Sequence, residues 1–223
     1  MKLLKPYNDQ MKRVLIPYFV ITLVLICFYS INWFAVAVFM LFLGIIGNGI
    51  AGHRMMAHKQ FNPANWVKQI LYFLCTVAAF SPLWFWRAQH WHHHKYSDQE
   101  VDVHSPQVHS LWHSFIWWAT KQETVSSIVR SEIATVRESL RDPAVKFYAI
   151  WNYQIIWIFV ISLYFISPGL LLSYLIYFWI EVFRLGTLTT LLHVNLPFSY
   201  QNFNTGEHSR NNLILGHLTF GLG

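Results

Sequence analysis

The chain has 223 residues, of which 55% are hydrophobic, 18% aromatic and only 12% charged. That is about half the charge fraction of an ordinary soluble domain, which argues against a water-soluble globule and for a surface that faces lipid. The formal net charge is +6, but the basic residues are spread along the chain, so a nucleic-acid partner is not expected.

In chain order, residues 14–30 and 33–51 contain no charged side chain. Each is close to the roughly 20 residues that cross a bilayer as a helix. Only Ile31-Asn32 separates them, so they read as a first transmembrane hairpin. The first run lacks a small-residue cleavage site and does not read as a cleaved signal peptide. Residues 148–166 and 170–192 read as a second hairpin, broken at Ser167-Pro168-Gly169. Cys27 and Cys75 lie in apolar stretches, with neither disulfide-framework nor metal-ligand spacing.

Lys2, Lys5, Lys12 and Arg13 precede the first hairpin, and ten more Lys/Arg lie between Arg54 and Lys146, while neither hairpin turn carries any. The positive-inside rule therefore places both termini and residues 52–147 on the cytoplasmic side. The expected architecture is an all-α membrane protein. It has four transmembrane helices in two hairpins (14–51 and 148–192) and a histidine-rich helical cap (52–147). Residues 193–223 return to the cytoplasmic side, and the whole, 1–223, is a single domain. The apolar stretch 69–86 is read as interfacial, re-entrant or buried in the cap, since a fifth span would put histidines on its two sides into different compartments.

Most of the twelve histidines fall outside the spans. His53 and His58 lie in GHRMMAHKQF, directly after the second span. His90, His92, His93, His94 and His104 lie in RAQHWHHHKYSDQEVDVHSP. On a helix, His90, His93 and His94 share one face and His92 points elsewhere. Imidazoles without cysteine partners suit iron or zinc, and five or more argue for two ions, because a closed structural zinc site takes four ligands. His109, His113, His208 and His217 read as ordinary polar groups at a water boundary. Asp98, Glu100 and Asp102 could orient ligand histidines through hydrogen bonds, or form a solvated acidic loop. Glu181 and Arg184, three residues apart inside the fourth span, are costly there. They read as an ion pair, or as groups that position His193 or a substrate head group.

At this point a resemblance is specific. HRMMAH resembles the first histidine box of membrane fatty-acid desaturases, HRxxxH, and HWHHH the second, HRxHH, with Trp91 in place of the arginine. KYSDQEVDVHSP is similar to the segment after that box in delta-9-type acyl desaturases, with Asp98, Asp102 and His104 in matching places. GIIGNGIAGHR and NFNTGEHSRNN fit as well. The resemblance implies His53, His58, His90, His93, His94 and His193 as ligands of a di-iron centre. Family members often place an asparagine four residues before the histidine matched by His193; here it is Thr189. Leu222 stands at a commonly acidic position. A third box, HxxHH, is expected just beyond Gly223, so the chain reads as C-terminally incomplete.

The implied activity is oxygen-dependent desaturation of a fatty acyl chain carried by a lipid, coenzyme A or an acyl carrier protein. Electrons would come from ferredoxin or a cytochrome-type donor, because no flavin or nicotinamide fingerprint is present. The alternatives are a membrane hydroxylase or alkane monooxygenase, a metal transporter, or a non-catalytic metal-binding membrane protein. A transporter would place its ligands along a path within the spans, and the spans before His193 contain no histidine.

Overall fold

The computed structural model describes residues 11–78, 81–115 and 122–191; within them the fold is entirely helical. A π-helical turn, Met11–Leu15, leads into α1, Ile16–Ile26. Asn32 then caps α2, Trp33–Phe39, its Oδ1 accepting from the Ala35 N–H at 3.1 Å. Helix α2 runs without a break into a π-helical segment, Met40–Ala57. The helix therefore ends six residues later than the hydropathy of 33–51 suggests, and it carries His53 on its last turns. Glycines in GIIGNGIAGHR weaken an α-helix and mask this continuation in the sequence.

Of the four expected spans, two helices are long and apolar enough to cross a membrane, Trp33–Ala57 and Pro168–Thr187. A third is available if α8, Pro143–Ile150, and α9, Asn152–Ile166, act as one span bent by 65° at Trp151. The apolar helix Arg13–Ile26 is shorter than a full crossing. The last helix, α10, Pro168–Leu191, begins with proline after the extended Ser167, where a missing N–H costs nothing. The two turns lie together, since the Asn32 N–H donates to Ser173 Oγ at 3.0 Å. Ile16, Phe19, Phe34, Phe165 and Phe183 stand outward and exposed, the face expected toward lipid.

The stretch 69–86 is not one helix. Helix α3, Asn65–Val77, ends before Ser81-Pro82, and α4, Leu83–Tyr96, starts after it. The end of α3, Val77 and Ala78, packs among the span helices. There the Tyr174 hydroxyl donates to the Val77 carbonyl at 2.8 Å, and Tyr18 and Tyr174 share a hydrogen bond at 3.0 Å. A helix terminus at this depth needs such a partner, because an unpaired carbonyl away from water costs several kcal/mol. Helix α4 then runs alongside the π segment in the same direction: Gly52 lies against Trp86, and five residues later the Ala57 carbonyl meets Trp91.

The short helix α5, Leu111–Phe115, packs on α10, where the Phe115 and Phe183 ring centroids are 5.8 Å apart. A second core joins α3 and α4 to short helices that cover them: α6, Gln122–Ser131; α7, Ile133–Ser139; and α8. Arg87, buried on α4, donates to Ser139 Oγ at 3.1 Å and to Glu138 Oε2 at 2.8 Å. Glu138 also pairs with Lys59, which stands just past the π segment at φ 52°. A left-handed lysine ends the helix there.

Close packing between the π segment and α3 depends on Gly47. A Cβ at that position would stand 2.9 Å from the Leu74 carbonyl oxygen and 3.0 Å from its carbon, backbone atoms that cannot swing aside. Gly47→Ala is expected to cost about 1–3 kcal/mol, whereas Gly169→Ala, which would meet only contacts at 3.6 Å, should change little. Unfolding in micelles checks this, and equal stability of the two variants would contradict the packing argument.

Candidate metal centre

Two helices place four histidines at one point. On α4, His90 and His94 are a turn apart, and their Nε2 atoms stand 2.7 Å apart. His53 and His58 are five residues apart, which on an α-helix puts them about 140° round the axis. The π winding narrows that divergence. Each hydrogen bond spans five residues, as the His58 N–H to His53 carbonyl bond does at 3.0 Å, so the fifth neighbour lies little more than one turn on, on the same side of the helix. His53 and His58 Nε2 therefore come within 3.1 Å, and His58 reaches His90 Nε2 at 2.9 Å. The ligand atoms of all four lie within 4.8 Å of one another.

Protons alone do not account for this arrangement. An imidazole nitrogen carries either one N–H or one lone pair, so it takes part in one in-plane hydrogen bond. His58 Nε2 and His90 Nε2 each meet two other Nε2 atoms, and three such contacts in a chain exceed what those valences allow. A cation satisfies them together. Nitrogens about 2.0–2.1 Å from an ion and at right angles to each other stand about 3 Å apart, close to the separations here. His90 is also held well below the ordinary histidine range, by loss of solvation and then by the rings of His94, His53 and His58. It therefore keeps the bare lone pair that a metal requires. The residues fit a metal ion.

Two tryptophans brace the cluster: Trp86, which the motif reading did not single out, and Trp91, which it noted only as a departure from the family pattern. Trp86 stacks on His90 with centroids 5.0 Å apart. Trp91, in the place of the family's arginine, donates Nε1–H to the Ala57 carbonyl at 2.9 Å. It binds α4 to the end of the π segment between the two histidine pairs. The signal was the indole N–H, a donor that must find a partner when half-buried.

His93 lies to the side. Its Nδ1 faces both oxygens of Asp102, at 3.0 and 3.1 Å. Asp102 is fully buried and also accepts the backbone N–H groups of Asp98 and His104, each at 3.0 Å. Burial works to raise its carboxyl, but His93 and then His104 hold it well below the usual carboxylate range. An ionised carboxylate only accepts, so His93 carries a proton on Nδ1 and turns Nε2 away from Asp102. Asp98, at φ 58°, accepts from Ser105 Oγ at 2.6 Å and tightens the same loop. His104 Nε2 accepts from the Gln89 amide at 2.9 Å, and Glu100 is exposed.

His92 turns away to Val101 O at 3.1 Å and Ser131 Oγ at 2.9 Å. His109 and His113 pair with each other at 4.4 Å between centroids. His193, His208, His217 and Leu222, and the side chain of Thr189, lie outside the described residues. Of the six ligands expected, the structure thus brings together His53, His58, His90 and His94, and sets His93 beside them on Asp102.

The fatty acid desaturase family model matches residues 31–223. The chain is 34% identical over 92 residues to a hex-5-enoyl-[acyl-carrier protein] acetylenase from Moorena producens (strain JHB), covering 36% of this chain and 29% of that protein. It is 32% identical over 99 residues to the delta-9 acyl-lipid desaturase 2 of Arabidopsis thaliana, covering 44% and 32%. It is 33% identical over 90 residues to the sn-1 stearoyl-lipid 9-desaturase of Synechocystis sp. (strain ATCC 27184 / PCC 6803 / Kazusa), covering 39% and 28%. The matched stretches thus span about three tenths of these relatives' length. No solved structure matches.

Replacing His53, His58, His90 or His94 singly with alanine should weaken uptake of Co²⁺ or Fe²⁺ at least tenfold, about the loss that even outer partners of a metal site produce. His92→Ala should leave it within about twofold. Titration of the purified protein separates the two groups, and equal loss at His92 would refute the division.

Proposed function

The chain belongs to the fatty acid desaturase family, and from that premise we propose that it acts as an oxygen-dependent fatty acyl desaturase at a histidine-ligated di-iron centre. The observation that carries this reading is the convergence of four Nε2 atoms whose contacts hydrogen bonds alone do not satisfy. His53, His58, His90 and His94 would bind one metal. His93, held on Asp102, offers Nε2 for the second, together with His193. Asp102 and Asp98 would orient His93 through the loop wound round them.

Bound iron, with dioxygen, supplies an oxidant strong enough to take hydrogen from an unactivated methylene, which side chains alone do not. In balance, a –CH₂–CH₂– unit loses two hydrogens, and dioxygen leaves as two waters after two electrons and two protons arrive from outside. Ferredoxin or a cytochrome-type protein is the proposed donor. The chain's own part is to hold the metals, to keep their ligands neutral and to present the acyl chain. The relatives include acyl-lipid desaturases and an acetylenase of an acyl-carrier-protein substrate. Lipid, acyl carrier protein and coenzyme A are the carriers to test.

The protein in membrane vesicles, given Fe²⁺, oxygen and reduced ferredoxin with each acyl class in turn, should yield a product lighter by two hydrogens. Mass spectrometry reads it. A product heavier by one oxygen would favour the hydroxylase alternative, and iron-loaded protein that converts nothing would count against both.

We also propose the membrane arrangement: four spans in two hairpins within one domain, 1–223, with 52–147 as a cytoplasmic cap. It is supported by the Lys/Arg distribution and by the Asn32–Ser173 bond joining the two turns. Cysteines introduced as Lys59→Cys and Lys95→Cys should react with an impermeant thiol reagent from the same, cytoplasmic, side. Labelling from opposite sides would end this arrangement.

A further inference from the structure

Beneath the histidines lies a buried polar group that the chemistry above does not use. Glu181, fully buried on α10 within the candidate span Pro168–Thr187, accepts from Arg184 Nε at 2.6 Å and NH2 at 2.5 Å. It also accepts from Asn48 Nδ2 at 3.2 Å. Asn48 is 1% exposed and stands on the π segment. Gly44 faces the same carboxylate, where a Cβ would stand in ordinary contact at 3.4–3.5 Å. The ion pair alone would satisfy two costly groups; the third bond, to the opposite helix, is what calls for a reason.

The winding of the helix provides one. Asn48, His53 and His58 are successive steps of five residues, each little more than one turn of a π-helix, so a rotation fixed at Asn48 is carried on to the two imidazoles. A hydrogen bond to a buried charge is stronger and more directional than a neutral one, so it pins the rotation of the segment about one turn before His53. Asn48 Oδ1 has no hydrogen-bond partner. Half of this side chain is thus left unsatisfied in the interior, a cost that packing alone does not repay.

We propose that Asn48 and Glu181 are positioning residues for the metal centre: Glu181, charge-paired with Arg184, holds Asn48 and thereby sets the rotation at which His53 and His58 present Nε2. This rests on reading the histidine cluster as a metal site. A small turn of the segment would move both nitrogens sideways together, and His90 and His94 on α4 would not follow. The link is specific to this chain's Gly44, Asn48, Glu181 and Arg184, and it lies outside both histidine boxes.

The test separates positioning from simple structural support. Asn48→Leu keeps the side chain's size and leaves the Glu181–Arg184 pair in place. Asn48→Leu loses one hydrogen bond but also removes the unsatisfied Oδ1, and Glu181 keeps its bonds from Arg184, so no buried acceptor is stranded and stability should change little. The expected result is Co²⁺ binding weakened about tenfold and a changed visible spectrum of the bound ion, with thermal stability in micelles unchanged or raised. Asn48→Asp, which sets two carboxylates face to face, should weaken binding further. Asn48→Asp combined with Glu181→Gln, which restores one donor and one acceptor, should recover part of it. Unaltered affinity and spectrum in Asn48→Leu, or metal binding that falls only in step with stability across the series, would overturn the proposal. If the unmodified protein binds no Co²⁺, the metal reading itself fails and takes this inference with it.

Discussion

An imidazole nitrogen has one in-plane valence, yet the π segment and α4 bring four Nε2 atoms to one place. Almost every irregular feature of the described structure is arranged around that convergence. Helix α4 lies parallel to the π segment, so that each contributes a pair of rings at the same level. Trp91 ties the two helices at Ala57, and Trp86 covers the His90 ring. The cap holds the cluster from the other side: Arg87 and Lys59 meet on Glu138, joining α4 and the end of the π segment to α7. If the rings were ordinary polar groups at a membrane boundary, they would be expected to spread toward water rather than to crowd.

Parts of this were legible in the sequence for identifiable reasons. His90 and His94 are four apart, a spacing that brings side chains together on any α-helix. The break in 69–86 was marked by Ser81-Pro82, a pair that α-helices seldom continue through. The first pair was different. In HRMMAH the histidines are five apart, and on ordinary helix geometry they diverge. Only the winding of Met40–Ala57 brings them together, and no residue type signals a π-helix in the way that proline signals a break. The same winding hid Asn48, which reads in the sequence as one polar residue among glycines. Glu181 and Arg184 stood out as charges in an apolar run, but their partner across the bundle did not, because side-chain pairing between distant helices leaves no trace in local spacing. The span count suffered from the same limit: hydropathy sees apolar content but not the 65° bend at Trp151.

His93 illustrates how a motif can hold two jobs at adjacent positions. On an α-helix, His93 and His94 are about 100° apart, so they cannot both face the same ion with the same ease. The chain uses that angle. His94 joins the cluster, while His93 turns toward Asp102, whose carboxylate also gathers the backbone of Asp98 and His104. Asp98 in a left-handed conformation makes the loop tight enough for this, a conformation that aspartate tolerates better than most residues. The acidic loop that follows the second box is therefore a folded support for one ring.

A long π segment is a weak element in isolation. Its hydrogen bonds are poorly favoured, π turns normally occur singly, and this one is glycine-rich. Such a segment persists only when its surroundings over-determine it. Here it is held at several levels. Glu181 takes Asn48 near its middle, Leu74 and Cys75 close on Gly47 with no space for a side chain, Trp91 occupies the Ala57 carbonyl, and left-handed Lys59 ends it against Glu138. Two of these supports are charged, and one of the two, Glu181 with its arginine, lies inside an apolar helix where ionisable groups are expensive. Stability alone would be served better by an ordinary α-helix with leucine at 48 and 181. What the costly arrangement achieves, and an α-helix would not, is to bring residues 53 and 58 onto one side of the helix. On the proposed reading the buried ion pair and the histidine pair are two ends of one device, and a bound metal, whose binding free energy can contribute to folding, would compensate for the unfavourable helix between them.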